Sequence, residues 1–178
     1  MNYINYPSKG IDHKIKILQN ILYKHLCLRD VNFYGRAIKS ISKDGKSLIP
    51  EVHISSTEKK ELYYDDIAAP GGNVFFIEEN DLHKTTDGKI FTSKVKIVFM
   101  LNLSKQLPNK QYRADSEIQD YCIKLVQRSK VIQITGLEKG LKNILKDFDT
   151  KNIKLNDTNP YHIFSINGDL NYQFNCNQ

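Results

Sequence analysis

The stretch Ile90-Phe91-Thr92-Ser93-Lys94-Val95-Lys96-Ile97-Val98-Phe99-Met100-Leu101-Asn102-Leu103 decides how this chain folds. Val95, Ile97, Phe99, Leu101 and Leu103 alternate, so in extended backbone they point to one side. The positions between them begin polar at Lys94 and Lys96, then turn apolar at Val98 and Met100. A strand that is apolar on both faces along half its length is covered on both faces there, which predicts a central place in a sheet. Leu107-Pro108-Asn109 ends it, and Asp87-Gly88 just upstream predicts a hairpin turn.

Working outward, a second Asp-Gly pair at 44–45 predicts another hairpin, with arms Phe33–Ser42 and Lys46–Ser55. Leu48, Val52 and Ile54 fall on one face of its second arm. Pro50 lacks a ladder donor, which places that arm at an edge or a bulge. Glu61–Tyr64 and Val74–Glu78 read as short strands. Between them Ile67–Asn73, with Ala68-Ala69-Pro70-Gly71-Gly72, reads as a loop. At the far end Tyr161–Cys176 alternates for over a dozen residues, with Phe164, Ile166, Leu170, Tyr172 and Phe174 on one face. The phase runs through Asn167-Gly168, predicting one long strand bulged or bent at the glycine.

Three helices are predicted. Ile11–Leu28 carries Ile11, Ile15, Leu18, Leu22 and Leu26 at spacings of three and four. Glu117–Lys130 has the stripe Ile118, Cys122, Leu125 and Val126, and Ser116 with Gln119 has capping-box spacing. After a short strand at Val131–Ile134, Thr135 and Glu138 repeat that spacing before Leu137, Leu141, Ile144, Leu145 and Phe148, which predicts a third helix. Asp147–Pro160 reads as a polar surface loop.

These elements give one α+β domain over residues 1–178. Its mostly antiparallel sheet has four to five strands, with helices packed on one face, a long β-hairpin, a long C-terminal strand, and arms over about 63–92. A chain of 178 residues, 40% apolar, is long enough to bury a core without disulfide staples. No apolar run approaches a membrane span, and no signal peptide is expected from Met1–Gly10. Cys27, Cys122 and Cys176 are far apart and form no CxxC, so they read as reduced thiols, two of them in the core. The formal charge is +6, yet only 4 of 26 basic residues are Arg. Lys, Ile and Asn make up 59 residues, the bias of an AT-rich genome, so the charge reads as a solvated surface.

Little in the sequence is catalytic. His13, His25, His53, His83 and His162 show no HxH, HxxxH or HExxH spacing, so no metal or other cofactor is expected. Gly71-Gly72 lacks the Lys-Ser/Thr of a phosphate loop, and Gly136–Gly140 reads as an ordinary connection opening a helix. No Ser sits in GxSxG, and no enzyme is expected. The enzyme alternative would assemble a site from Asp65, Asp66, Glu78 and His83, although adjacent carboxylates such as Glu78-Glu79 read as solvated. Tyr63, Tyr64, Phe75 and Phe76 border the Gly-rich loop, either as interface anchors or as the core of two short strands.

The opening helix followed by Phe33-Tyr34-Gly35-Arg36, the middle section Ile49-Pro50-Glu51-Val52-His53 and the closing Asn159-Pro160-Tyr161-His162-Ile163-Phe164-Ser165-Ile166-Asn167, in this element order, resemble the tail-terminator and tail-completion (neck ring) proteins of tailed bacteriophages. The resemblance implies a structural virion subunit, made in the host cytoplasm. Such a subunit forms a homo-oligomeric ring of six or twelve copies at the neck or tail end. Its partners would be its own copies and other neck or tail proteins, with DNA passing through the ring without sequence-specific binding, and no membrane. It transfers no site residues. The expected contact residues come from projecting β structure: Tyr63, Tyr64, Phe75, Asp87, Gly88, Phe91, Tyr172 and Phe174, some as unpaired edge. The alternative from another class is a basic nucleic-acid-binding module.

Overall fold

In the computed structural model, which describes residues 8–43, 45–55, 57–62, 70–79, 83–85, 87–151 and 159–173, the decisive stretch is a thirteen-residue strand, Ile90–Asn102 (β7 below). It is preceded by helix α1 (Gly10–His25) and by strands β1 (Val31–Arg36), β2 (Ile38–Ile41), β3 (Leu48–His53), β4 (Lys59–Glu61), β5 (Gly72–Glu78) and β6 (Lys84–Thr85). After β7 come α2 (Leu103–Gln106), α3 (Asp115–Ser129), β8 (Ile132–Lys139), α4 (Leu141–Ile144) and β9 (Tyr161–Gln173). The main sheet runs β1-β5-β7-β9-β8, with β6 also paired to β7. Among the described ladders of this sheet β1–β5 is parallel and the others are antiparallel, so the fold is α+β as its sequence predicts.

The alternation of β7 sorts the core into two layers. Val95, Ile97, Phe99 and Leu101 face Ile15, Leu18 and Leu22 of α1 and Ile118, Cys122 and Val126 of α3. Phe99 stacks on Phe164 of β9, its direct partner, with ring centroids 4.7 Å apart. Val98 and Met100 face the other way, toward Val52 of β3, Leu62 after β4, and Leu141, Ile144 and Leu145. The second face is therefore covered by the separate sheet β2-β3-β4 and by the turn of α4. The two long helices lie on one face as expected. The cover of the other face, and its closing by α4, are additions to that picture.

Close backbone contacts account for two glycines. Gly72 has φ +122°, and a Cβ there would lie 2.0 Å from the Met100 carbonyl oxygen. The Gly-rich segment thus ends in a strand pressed against β7, which brings the start of β5 forward from the expected residue 74. Gly168 would place a Cβ 2.5 Å from the Gln133 carbonyl oxygen and 2.7 Å from Ile132. β9 runs straight through it as one strand, and the bulge lies in the neighbour β8, where the register skips Thr135.

Several local expectations are corrected. The segment from Thr135 is not a helix: β8 continues to Lys139, and only Leu141–Ile144 is helical. The pairing of β8 along β9 outweighs the 3.6-residue pattern, and Leu137, expected on the helical stripe, is exposed. Gly136 sits inside β8, so Gly136–Gly140 does not open a helix as a unit. Ser116 does not cap α3, whose N-cap is Ala114, and the Gln119 amide lies against the buried His162 ring. The expected hairpin arm Phe33–Ser42 splits: β1 joins the main sheet and β2 the small one. Pro50 lies in the middle strand of the small sheet, neither at an edge nor at a bulge. Its carbonyl accepts from Leu62 N, so its ring nitrogen faces that same side, and the donor it lacks falls at the end of the β4 ladder and not in the β2 ladder. The longest antiparallel pair is β7–β9, and the described upstream strand of the Asp87-Gly88 hairpin is Lys84–Thr85.

Candidate functional site

Two hairpins carry exposed turn residues. The β2–β3 ladder pairs Ile38 with Glu51 and Ile41 with Leu48, the register of a turn centred on residues 44 and 45. Ser42 N donates to the Ser47 carbonyl at 2.8 Å, Ser47 N donates to Ser42 Oγ at 3.1 Å, and Gly45 supplies φ +73°. At the tip, Ile41 is 70% exposed and its direct partner Leu48 is 42% exposed. Lys39, Lys43 and Lys46 surround this apolar pair and are exposed. The β6–β7 turn is held by Asp87, whose Oδ1 accepts from Lys89 N at 2.9 Å and Ile90 N at 2.8 Å. Those bonds, Ile90 first, hold the Asp87 carboxyl below its ordinary pKa. Gly88 has φ +68° and donates to Thr85 Oγ1.

The expected contact residues separate into three groups. Asp87 and Gly88 stand exposed on the β6–β7 turn. Phe75 and Tyr172 are buried and belong one to each core layer, so they offer no surface to another chain. Phe75 faces the small sheet because β5 is covered on both sides. Phe91 is partly buried and stacks on Tyr172 at 5.9 Å, so this pair is not the unprotected edge expected of it. Tyr63, Tyr64 and Phe174, with the alternative's Asp65 and Asp66, lie outside the described residues. The Ile41–Leu48 tip was not expected as a contact site. Its signal was present in the sequence: two apolar residues equidistant from Asp44-Gly45 must oppose each other across the hairpin.

The adjacent carboxylates Glu78 and Glu79 are not simply solvated. Glu78 Oε1 accepts from Ser93 Oγ at 2.7 Å and lies 2.6 Å from His83 Nε2, while Oε2 accepts from Arg36 Nη1. Arg36 is clamped from its other side by Asp12, with Nε and Nη2 each 3.0 Å from the carboxylate oxygens. His83 Nδ1 meets the Tyr172 hydroxyl, and the two rings pack edge to face at 5.6 Å. A carboxylate only accepts, so His83 Nε2 carries the proton; in the neutral ring Nδ1 then accepts from Tyr172. Burial raises the Tyr172 phenol above its ordinary pKa, and the Glu78 charge adds to this against Arg36. A phenol shifted upward and buried against a histidine is a weak nucleophile.

Glu79 makes a second ionic site. Lys96 is 1% exposed, with Nζ 2.6 Å from Glu138 Oε2 and 3.0 Å from Glu79 Oε1. Burial alone would push the ammonium pKa down, but the hydrogen bonds to Glu138 and Glu79 outweigh it and the net shift is upward. An ammonium held protonated in this way is a clasp across the sheet, not a base or a nucleophile. An open cleft of about 540 Å³ lies between the start of α1 (Lys9, His13, Lys14) and the strand ends at Ile90 and Asn171–Gln173. Among the described residues no three His, Cys, Asp or Glu side chains are grouped to hold a metal ion, and no helix is long and apolar enough to cross a membrane. Comparison with protein-family models, curated proteins and solved structures found no match.

Proposed function

We propose that this chain is a structural subunit of a tailed-bacteriophage virion, a ring-forming neck or tail-terminator protein. The observation that supports it best is the uncovered apolar pair Ile41–Leu48 at the tip of the β2–β3 hairpin. The hairpin belongs to the small sheet, on one side of the main sheet. Tyr112 and Tyr121, 60% and 43% exposed, lie before and on α3, which packs on the other side. A ring subunit needs two unlike surfaces, one for each neighbour, because a heterologous contact closes only when the two differ. Burying an aliphatic side chain of this size yields roughly 1.5–3 kcal/mol, too little for a stable dimer in dilute solution but additive around a closed ring.

The test is assembly. Native mass spectrometry at high protein concentration, or of the chain recovered from particles, is expected to give a closed homo-oligomer of six or twelve copies. Cross-links from Lys43 and Lys46 should reach a second chain. Ile41→Asp with Leu48→Asp should abolish the oligomer while leaving the far-UV spectrum and thermal midpoint of the monomer intact. A double variant that assembles like the parent sinks the reading. The second reading, a nucleic-acid-binding module, draws on Lys39, Lys43 and Lys46 around that same tip. It would be favoured by tight DNA binding that persists at physiological salt, where phosphate-driven affinity falls steeply.

A further inference from the structure

We propose that Glu78 is a latch: it fixes the β6–β7 arm to the body, and releasing it frees the arm without opening the core. This inference concerns a conformational device and does not depend on the phage reading. Ile90 to Thr92 of the arm are laddered to Asn171–Gln173 of β9, so the part that side chains must hold is β6 with its turn. His83, immediately before β6, is bonded to Glu78 and to Tyr172. Ser93, at the base of β7, donates to the same Glu78 oxygen at 2.7 Å. Tyr172 lies between the edge-on His83 ring and the stacked Phe91 ring, so both sides of the hairpin converge on one side chain of β9. The described ladder of β6 places Lys84 opposite Thr92 and Thr85 opposite Phe91, and the contacts of His83 add side-chain anchoring beside it.

The body keeps its own anchor when Glu78 is lost. Arg36 remains in its paired contact with Asp12, which still joins α1 to β1. Along β7, Val95 to Leu101 keep β5 on one side and β9 on the other. Among the described residues, the groups facing Glu78 are Arg36 from β1, His83 before β6, Ser93 from β7 and the Tyr172 hydroxyl from β9, with Asp12 of α1 behind Arg36. Of these, only His83 and Ser93 belong to the arm.

Hydrogen exchange followed by mass spectrometry on Glu78→Gln and His83→Ala tests the latch. Loss of a charge-assisted contact of this kind should speed exchange in residues 84–89 by roughly ten- to a hundredfold, while residues 90–101 and 162–173, laddered to each other, keep their protection. His83→Ala removes a quarter-exposed side chain outside the core, so it reports even if the Glu78 variant fails to fold. Exchange in the arm within about twofold of the parent in His83→Ala overturns the proposal. So does an equal loss of protection over 95–101, because Glu78 would then support the whole sheet.

Discussion

The two faces of the main sheet are built on different principles. On the helical face the core cluster shared by β7, α1 and α3 is apolar, Phe99 and Phe164 stack at its centre, and the buried Gln119 and His162 pair with each other beside it. The opposite face is covered by a three-stranded sheet and one turn of helix, and it ends at a buried ammonium held by two glutamates. The first face depends on volume and shape. The second depends on register as well, because Lys96 reaches Glu79 and Glu138 only if β5, β7, β9 and β8 are aligned as they are.

Truncation at the centre of the helical face should show the largest effect. Phe99→Ala is expected to cost about 3–5 kcal/mol in urea unfolding, because the cavity lies between two packed layers. A loss under about 1 kcal/mol would mean that the helices do not rest on β7.

Lys96 sharpens the contrast. Lys96→Ala should cost about 3 kcal/mol, since two partly buried carboxylates lose their common partner. Lys96→Met should cost less than about 1 kcal/mol, because burying the ion pair is itself expensive. The parent also carries a pH signature. The native ammonium pKa lies above its unfolded value. The resulting stabilisation is therefore complete below about pH 10.4, the ordinary lysine value, and is lost as pH rises through the native value. Alkaline unfolding should begin at similar pH in the parent and in Lys96→Met, but fall more steeply in the parent. Identical alkaline profiles would show that Lys96 is not paired as described.

The helical face was largely legible in the sequence because its signals are local. Ile11 to Leu22 and Ile118 to Val126 repeat at the helical period, and both helices form. Leu18, Val95, Phe99, Phe164 and Ile166 share one core as their periodicities require. The second face was not legible, for physical reasons. Leu137, Leu141, Ile144, Leu145 and Phe148 fit a helix closely, yet the first of them lies in an edge strand. What decides is the free side of β9, a partner remote in sequence that periodicity cannot see. Glu78 and Glu79 likewise read as a surface pair, because their partners Arg36, His83, Ser93 and Lys96 come together only once the sheet forms. Of the residues singled out as contacts, Asp87 and Gly88 are exposed, but the aromatic Phe75 and Tyr172 are core.

Smaller effects test the same division. Leu137→Ser should change stability by no more than about 0.5 kcal/mol, as expected for an exposed position on an edge strand. A loss of about 2 kcal/mol or more would restore the helical reading of that segment. Cys122 is fully buried against β7 and burial alone raises its thiol pKa, whereas Cys27 is exposed. Brief treatment of the native protein with iodoacetamide should alkylate Cys27 and spare Cys122 until the chain is unfolded. Early labelling of Cys122 would place α3 off the sheet.

The position of β9 has a consequence for synthesis. This strand follows all the others in the chain, yet it lies between β7 and β8 and pairs with both. A nascent chain that has released everything up to α4 therefore holds two halves of a sheet with a strand-wide gap between them. Ile97 waits for Ile166, and Leu137 waits for that same residue from the other side. Closing contacts so remote in sequence is slow. Released chains truncated before residue 161 should thus be sensitive to protease throughout, and resistance should arise in one step once β9 is included.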